Sequence, residues 1–227
     1  MMVRLLAFDT STERLSVAVR HGDLLLERDG EGGAQASSTL IPLIQSLLAE
    51  AGVALRELDA IAFGRGPGSF TGLRTACSVA QGLGFGAGVP LLPVDTLLAV
   101  AEEARHQAGA QKVLAVLDAR MEQVYSAAYD FSAGPAPEAE PQLTAPEELR
   151  LPPGYAMAGN AFAAYGERLP AAGARHPALP TAGALLRLAP ALLAEGRKVS
   201  PADAWPLYVR DKVAQTTAER AAAKQAT

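Results

Sequence analysis

The chain of 227 residues has a single cysteine, Cys77, and no long hydrophobic run. One cysteine excludes an internal disulfide and is typical of proteins from a reducing compartment. The N-terminal segment MMVRLLAFDT becomes polar at Asp9, which is too early for the apolar region of a signal peptide. No apolar stretch approaches the roughly 20 residues that span a bilayer. We therefore expect a soluble cytoplasmic protein without a membrane partner.

Positive charge and metal-binding side chains are also scarce. The formal net charge is -4, whereas proteins that bind nucleic acid by themselves are usually basic, because phosphate contacts dominate their affinity. The histidines His21, His106 and His176 have no partner at i+4 and no cysteine nearby, so no zinc site of known spacing is predicted. They are interpreted as surface residues. No local pattern supports a Ser–His–Asp triad.

Apolar periodicity predicts an alternation of strands and helices. Three short strands precede a helix from about Ser38 to Ala51. A strand that runs into a glycine loop, a helix from about Phe70 to Gly86, a fifth strand and a third helix follow. The order βββαβαβα indicates an α/β fold in which right-handed parallel crossovers lie beside an antiparallel edge.

The second half of the chain repeats the pattern of the first. The segment VLAVLDARMEQVYSAAY echoes LLAFDTSTERLSVAV, so that Asp118 corresponds to Asp9 and Glu122 to Glu13. The repeat predicts two α/β lobes, the second of them smaller and with fewer helices.

We place the boundary between the lobes after residue 108, so that they comprise residues 1–108 and 109–227. Six prolines between Ser132 and Gly154 predict an irregular, exposed insertion in the second lobe. The polar, alanine-rich C-terminus predicts a tail that frays or packs back on the first lobe.

The segment GRGPGSFTGLR, which begins at Gly64, has four glycines and a proline in its first nine residues. No lysine follows the glycines as in a Walker A loop, and the spacing is not GxGxxG. Pro67 stands where a nucleophile elbow around Ser69 needs glycine. Glycine permits positive φ and the close approach of a ligand or of another chain segment. A ligand-binding turn and a tight strand-to-helix turn without ligand both remain open.

The segment Asp9-Thr10-Ser11-Thr12 ends the first predicted strand. A carboxylate followed by three hydroxyls could hold Mg²⁺ and phosphate, which makes these four residues candidates for the phosphate or nucleotide side of a site. An ordinary Asx or hydroxyl turn is the alternative, and it is favoured for this segment taken alone.

Two consecutive helices of the first lobe are candidates for a partner interface. The second helix has many small residues, and each interior glycine costs about 1 kcal/mol relative to alanine, which favours close packing or a ligand. Packing within the lobe is the alternative. We predict that the small-residue stripe faces outward, so that Ala80→Arg weakens association and leaves the fold intact. The predicted interface residues are Leu40, Leu43, Ile44, Leu47, Arg65, Leu73, Ala76, Cys77, Ala80 and Gly84.

Five segments in a fixed order resemble the TsaB family, formerly YeaZ, of tRNA threonylcarbamoyladenosine biosynthesis proteins over nearly the whole chain. They are LLAFDTST, LDAIAFGRGPGSFTGLR, VLAVLDARMEQVY, AGN and PLYVRDKVA. The resemblance implies the two-lobed actin/Hsp70/sugar-kinase-like fold and a non-catalytic scaffold subunit. It also implies two partners, a larger TsaD-like paralogue that has the metal histidines and performs catalysis, and a small TsaE-like ATPase. Such a complex uses ATP and Mg²⁺ to add a threonylcarbamoyl group to N6 of adenosine 37 in tRNAs that read codons beginning with A.

The resemblance further implies that this chain binds no cofactor tightly, contacts tRNA only through the complex, and forms a homodimer when the partner is absent. Ala36 stands where many relatives have the histidine of H-[ST]-x-x-[LI]-[LI]-P, which removes a vestigial metal ligand. A free-standing nucleotide-dependent phosphotransferase of the same fold is the alternative, although Ala119 and Arg120 replace the hydroxyl-rich turn after Asp118. A peptidase is a third interpretation, without a metal site or a triad signature to support it.

Overall fold

The structure is a computed structural model that describes residues 3 to 210, which contain ten β-strands and five α-helices. The first half contains β1 (Arg4–Asp9), β2 (Arg14–His21), β3 (Leu24–Glu31), α1 (Ala36–Ala51), β4 (Ala60–Gly66), α2 (Phe70–Ala87), β5 (Leu91–Asp95) and α3 (Thr96–Ala108). The second half contains β6 (Lys112–Asp118), β7 (Val124–Asp130), β8 (Gln142–Thr144), β9 (Ala156–Gly159), α4 (Ala161–Tyr165), β10 (Arg175–Pro177) and α5 (Ala182–Ala194).

The first sheet has the strand order β3-β2-β1-β4-β5. Strands β1, β2 and β3 pair antiparallel, and β1, β4 and β5 pair parallel. Alternate residues of β1 face opposite sides of the sheet, since Leu6 and Phe8 pack with α1 and α2 whereas Leu5 and Ala7 pack with α3 and α5. A strand that is buried on both faces has a continuous apolar run, and this run predicted β1 from the sequence. The predicted order βββαβαβα is confirmed.

The second sheet, ordered β10-β9-β6-β7-β8, repeats the first strand for strand. Strand β6 corresponds to β1 and β9 to β4, with the same parallel pairing between them. Asp9 ends β1 and Asp118 ends β6, so the predicted internal repeat is confirmed. This duplicated topology is the two-lobed actin/Hsp70/sugar-kinase-like fold.

Helices α3 and α5 lie between the two sheets and share one core with both of them. This core includes Leu5 of the first sheet, Leu97 of α3, Ala115 of the second sheet and Leu185 of α5. Since α5 comes from the second half of the chain but packs on β1 and β2, the lobes are interlocked. The division after residue 108 stays a prediction.

The structure changes one expectation about the second half. The proline-containing segment between Ser132 and Gly154 is not irregular throughout, because it contributes edge strand β8. After α5 the chain returns to the first lobe, where Val199 forms a β-bridge with Leu91. The predicted tail beyond residue 210 lies outside the described residues. Among residues 3 to 210, no helix is long and apolar enough to cross a membrane.

Candidate functional site

Asp9, at the end of β1, is fully buried, and both of its carboxylate oxygens accept hydrogen bonds from neighbouring residues. Oδ1 accepts hydrogen bonds from Ser11 N at 2.7 Å and from Ser11 Oγ at 2.5 Å, which forms an Asx turn. Oδ2 accepts from Thr96 Oγ1 at 3.4 Å. It also lies so close to Gly64 that an added Cβ there would be 1.7 Å away. The Asx-turn interpretation of this segment is confirmed.

The glycine loop packs directly on the turn that follows Asp9. A Cβ on Gly68 would lie 2.5 Å from the carbonyl oxygen of Ser11, and one on Gly72 would lie 1.9 Å from that of Thr10. Ser69 N donates to Ser11 O at 2.7 Å, and Thr10 Oγ1 donates to Gly72 O at 2.7 Å. The glycines therefore allow two backbone segments to touch. The N–H of Ser69, which precedes α2, already has a protein acceptor instead of an anion.

Burial raises the pKa of Asp9 from 3.8 to about 6, although hydrogen bonds from Ser11 and Thr96 lower it in part. A Mg²⁺ ligand needs an ionised and accessible carboxylate, and burial opposes both. Thr10 is also fully buried, whereas Ser11 and Thr12 contribute to the wall of a cleft. A phosphate role for this segment stays a prediction, and only Ser11 and Thr12 are placed to fulfil it.

The cleft, of about 430 Å³, lies between the turn after Asp9 and the equivalent turn after Asp118. Glu13 of the first half and Asn160 of the second half both line it, and Asn160 Nδ2 donates to Glu13 Oε2 at 3.3 Å. Charges of both signs line the cleft, because Arg120 and Arg210 lie there with Glu13 and Asp118, and Arg120 Nη1 is 3.2 Å from Asp118 Oδ2. The lining residues nearest the two turns are Ser11, Thr12, Glu13, Asp118, Arg120 and Met121.

Asp118 makes the same side-chain hydrogen bond as Asp9, because its Oδ1 accepts from the N–H two residues later, Arg120 N, at 2.7 Å. The residues after this aspartate differ in conformation from those after Asp9. Arg120, Met121 and Glu122 have φ values of 60, 54 and 59 degrees, so three consecutive non-glycine residues adopt the left-handed region. Such a run is retained only where surrounding contacts hold it.

The structure places most of the predicted interface residues inside the first lobe, so the prediction that the small-residue stripe of α2 faces outward is wrong. The physical reason is that small side chains let α2 approach the sheet closely. A Cβ on Gly84 would lie 2.9 Å from Leu91 Cδ2 and 2.9 Å from Pro201 Cγ. The buried members of the set are Leu40, Ile44, Leu47, Leu73, Ala76, Cys77, Ala80 and Gly84, and the partly exposed ones are Leu43 and Arg65.

Arg65 is committed to contacts within its own lobe. Its Nε binds Asp95 Oδ1 at 2.5 Å, and its carbonyl oxygen accepts a hydrogen bond from Leu207 N at 2.7 Å. Gly66 N, beside it, donates to Thr96 Oγ1 at 3.2 Å. These contacts fix the ends of β4 and β5 against the segment that returns from the C-terminal side.

The solvent face of α1 and α2 also has small and apolar residues, in addition to those of the buried stripe. On α2, Ser78 and Gly82 are exposed, and an added Cβ on Gly82 would meet nothing within 4 Å. Phe85 of α2 is 64% exposed and Ile41 of α1 is 40% exposed. The exposed faces of α1 and α2 are therefore opposite to those predicted for the interface.

Sequence analysis assigned no role to a charged cluster that joins α3 to α5. Arg187 Nε binds Glu102 Oε1 at 3.0 Å and Arg187 Nη2 binds Glu103 Oε2 at 2.5 Å, with Glu102 only 1% exposed. Burial favours a raised pKa for Glu103, but hydrogen bonds from Thr181 and Gln107, together with the Arg187 charge, lower it overall. Two adjacent glutamates directly after the apolar run LLAVA of α3 were the available signal.

The histidines are on three separate elements, β2, α3 and β10. His21 Nδ1 lies 3.1 Å from the carbonyl oxygen of Ala51, at the end of α1. Within residues 3 to 210, no three histidine, cysteine, aspartate or glutamate side chains form a group that could hold a metal ion.

Comparisons with known proteins give a consistent result. The family model described as TsaD, tRNA N6-adenosine threonylcarbamoyltransferase, matches residues 33–217. The chain is 34% identical over 223 residues to the tRNA threonylcarbamoyladenosine biosynthesis protein TsaB of Escherichia coli, covering 93% of this chain and 96% of that protein. It is 44% identical over 121 residues to TsaB of Haemophilus influenzae, covering 53% of this chain and 51% of that protein.

A solved structure of YeaZ from Pseudomonas aeruginosa is similar with a TM-score of 0.85 at 39% identity. The match covers 91% of this chain and all of that one. The E. coli relative and the Pseudomonas structure each match more than nine tenths of this chain. The chain belongs to the TsaB (YeaZ) family of tRNA threonylcarbamoyladenosine biosynthesis proteins.

Proposed function

We propose that this chain is a non-catalytic scaffold subunit of a cytoplasmic complex that adds a threonylcarbamoyl group to N6 of adenosine 37 in tRNAs that read codons beginning with A. One observation carries the proposal. The two motifs that could have formed a phosphate site, the glycine loop and the turn after Asp9, are each other's binding partners. Their N–H, hydroxyl and carbonyl groups pair across the contact, and Asp9 is buried beneath it.

The proposed catalytic partner is a TsaD-like paralogue. This chain itself matches the TsaD family model over residues 33–217, so a TsaD-like protein is a homologue with comparable elements over that range. Two homologous subunits can pair through equivalent surfaces, and a homodimer can use the same surface when the partner is absent. The solvent face of α1 and α2, with Ile41, Ser78, Gly82 and Phe85, supports this arrangement, because small residues let two helices cross closely while the apolar side chains are buried.

A TsaE-like ATPase completes the proposed assembly, which uses ATP and Mg²⁺. In this proposal the chain binds no nucleotide tightly, since the glycine loop and the turn after Asp9 are hydrogen-bonded to each other. It contacts tRNA only as part of the complex, consistent with its net charge of -4.

Reconstitution tests the non-catalytic role. The purified chain with tRNA, threonine, bicarbonate and ATP is expected to give no threonylcarbamoyladenosine, and addition of TsaD-like and TsaE-like proteins is expected to restore product. Product from the chain alone would overturn the proposal. Calorimetric titration of the chain with ATP and Mg²⁺ addresses the alternative of a phosphotransferase, which requires saturable binding of the nucleotide.

The interface is tested with Gly82→Arg, which places a long charged side chain at the centre of the exposed face of α2. We expect the affinity for the TsaD-like partner to fall at least a hundredfold, equivalent to about 2.7 kcal/mol, while circular dichroism stays unchanged. The matched control is Ala191→Arg on the exposed side of α5, which should leave association intact. Wild-type binding by the Gly82→Arg protein would place the interface elsewhere.

A further inference from the structure

Residues 204–210, which we call the C-terminal strap, run along the first lobe after the chain leaves α5. The strap begins on α2, where the carbonyl oxygen of Ala204 accepts a hydrogen bond from Gln81 Nε2 at 3.0 Å. It then meets the glycine loop, where Leu207 N donates to the carbonyl oxygen of Arg65 at 2.7 Å. Hydrogen bonds at both of these points thus attach the strap to the first lobe.

An aromatic contact holds the next residue of the strap on the N-terminal turn of α2. The ring of Tyr208 lies 5.6 Å from that of Phe70, and Arg74 Nε donates to Tyr208 Oη at 3.1 Å. The guanidinium of Arg74 stacks 3.8 Å from the centre of the Phe70 ring. The strap is therefore positioned by side chains as well as by its backbone.

The strap then crosses to the second lobe through Arg210. Its Nη2 donates to the carbonyl oxygen of Ala119 at 2.9 Å and approaches that of Arg120 at 3.4 Å, while Nη1 lies 3.3 Å from Met121 Sδ. These groups belong to the left-handed turn after Asp118. Hydrogen bonds from a charged donor are stronger than neutral ones, and a turn in this conformation depends on such outside contacts.

We propose that the C-terminal strap is an interlobe latch, in which Arg210 couples the left-handed turn of the second lobe to the glycine loop of the first. Ser69 and Phe70 from one lobe and Arg120 and Met121 from the other line the same cleft as Arg210. Only two residues, Tyr208 and Val209, lie between Leu207, which is fixed on the glycine loop, and Arg210, so that Arg210 is three residues further along the chain. Since three extended residues span at most about 11 Å, a displacement of the turn is transmitted to the loop. Release of Arg210 loosens both walls of the cleft, whether or not a partner subunit is present.

Hydrogen exchange, measured residue by residue by NMR on the full chain, tests the latch with Arg210→Ala. Two amides report on its two ends: Leu207 N–H, bonded to Arg65 O, and Ala119 N–H, bonded to Gln123 O at 3.0 Å. Amides of β1 report on global unfolding. The matched control is Arg197→Ala, which removes a partly exposed arginine from the same part of the chain.

The latch predicts that Arg210→Ala accelerates exchange at both reporter amides at least tenfold, with β1 and the Arg197→Ala protein unchanged. Acceleration at Ala119 alone or at neither reporter would overturn the latch and indicate a local role for Arg210. Equal acceleration at β1 would also overturn it, because it would indicate a purely stabilising role. If the Arg210→Ala protein does not fold, Arg210→Lys takes its place under the same criteria. Lysine keeps the charge but lacks the planar fork that reaches Ala119 O and Met121 Sδ together.

Discussion

Replacement of Gly72 by alanine should destabilise the protein, although alanine is the better helix former. Gly72 lies in the first turn of α2, where an added Cβ would be 1.9 Å from the carbonyl oxygen of Thr10 and 2.9 Å from its carbonyl carbon. Both atoms belong to backbone and cannot rotate away. The segments would have to separate by more than 1 Å, which breaks the hydrogen bond from Thr10 Oγ1 to Gly72 O. Overpacking of this kind costs about 1–3 kcal/mol or more, and the intrinsic gain of alanine over glycine offsets up to about 1 kcal/mol.

The matched substitution in the same helix is Gly82→Ala, which has the opposite expected sign. An added Cβ at Gly82 meets nothing within 4 Å, so only the helix propensity changes and the variant should gain about 0.5–1 kcal/mol. Urea unfolding followed by circular dichroism measures the free energy of unfolding of both variants. At about 2–4 °C of melting temperature per kcal/mol for a chain of this size, we expect Gly72→Ala to melt well below Gly82→Ala. If Gly72→Ala were as stable as the wild type, the contact between the glycine loop and the turn after Asp9 would be refuted.

Three further predictions concern buried groups. Because the pKa of Asp9 is about 6 in the folded state and 3.8 as its ordinary value, the folded protein holds the proton more tightly and loses stability as pH rises between these values. The free energy of unfolding of Asp9→Asn, relative to that of the wild type, should therefore increase by on the order of 2 kcal/mol between about pH 4 and about pH 7. A stability difference that does not change with pH in urea unfolding would contradict this. Arg187→Leu leaves the buried carboxylates of Glu102 and Glu103 without their shared partner and should cost about 3 kcal/mol at neutral pH, a loss that should shrink in acid, as calorimetric melting can measure. Ala80→Arg should prevent native folding rather than only weaken association, because position 80 is fully buried, and a native circular dichroism spectrum would contradict the burial.

Local patterns predicted the strands and their order because each strand has a continuous or alternating apolar run. The repeat was visible for a similar reason, since Asp9 and Asp118 each end a buried central strand. The orientation of α2 was not predictable in this way. Its buried Ala76 and Ala80 differ little in size from its exposed Ser78 and Gly82, so the hydrophobic period is weak. The shape of the sheet beneath the helix, at residues such as Leu91, decides which stripe is covered.

The contacts of the strap and of the charged cluster lay beyond sequence reasoning for a different reason. Gln81 meets Ala204 and Arg74 meets Tyr208 across separations of 123 and 134 residues. No periodicity connects such distant positions. The segment PLYVR contributed to the resemblance to the family, but its sequence alone does not reveal that Arg210 reaches the second lobe.

The contacts of the glycine loop differ from those of a phosphate-binding loop. A ligand-binding loop exposes free N–H groups and leaves space in front of them, whereas here Ser69 N is bonded to Ser11 O and the space is filled by the backbone of Thr10 and Ser11. If the glycines had been required for a ligand, a methyl group at Gly72 would reduce ligand binding and leave the unfolding transition intact. Because the glycines are required for a contact between two segments of the chain, the same methyl group is expected to lower the free energy of unfolding. The functional surface is then to be sought outside this contact, on the exposed face of α1 and α2 and at the cleft beneath the strap.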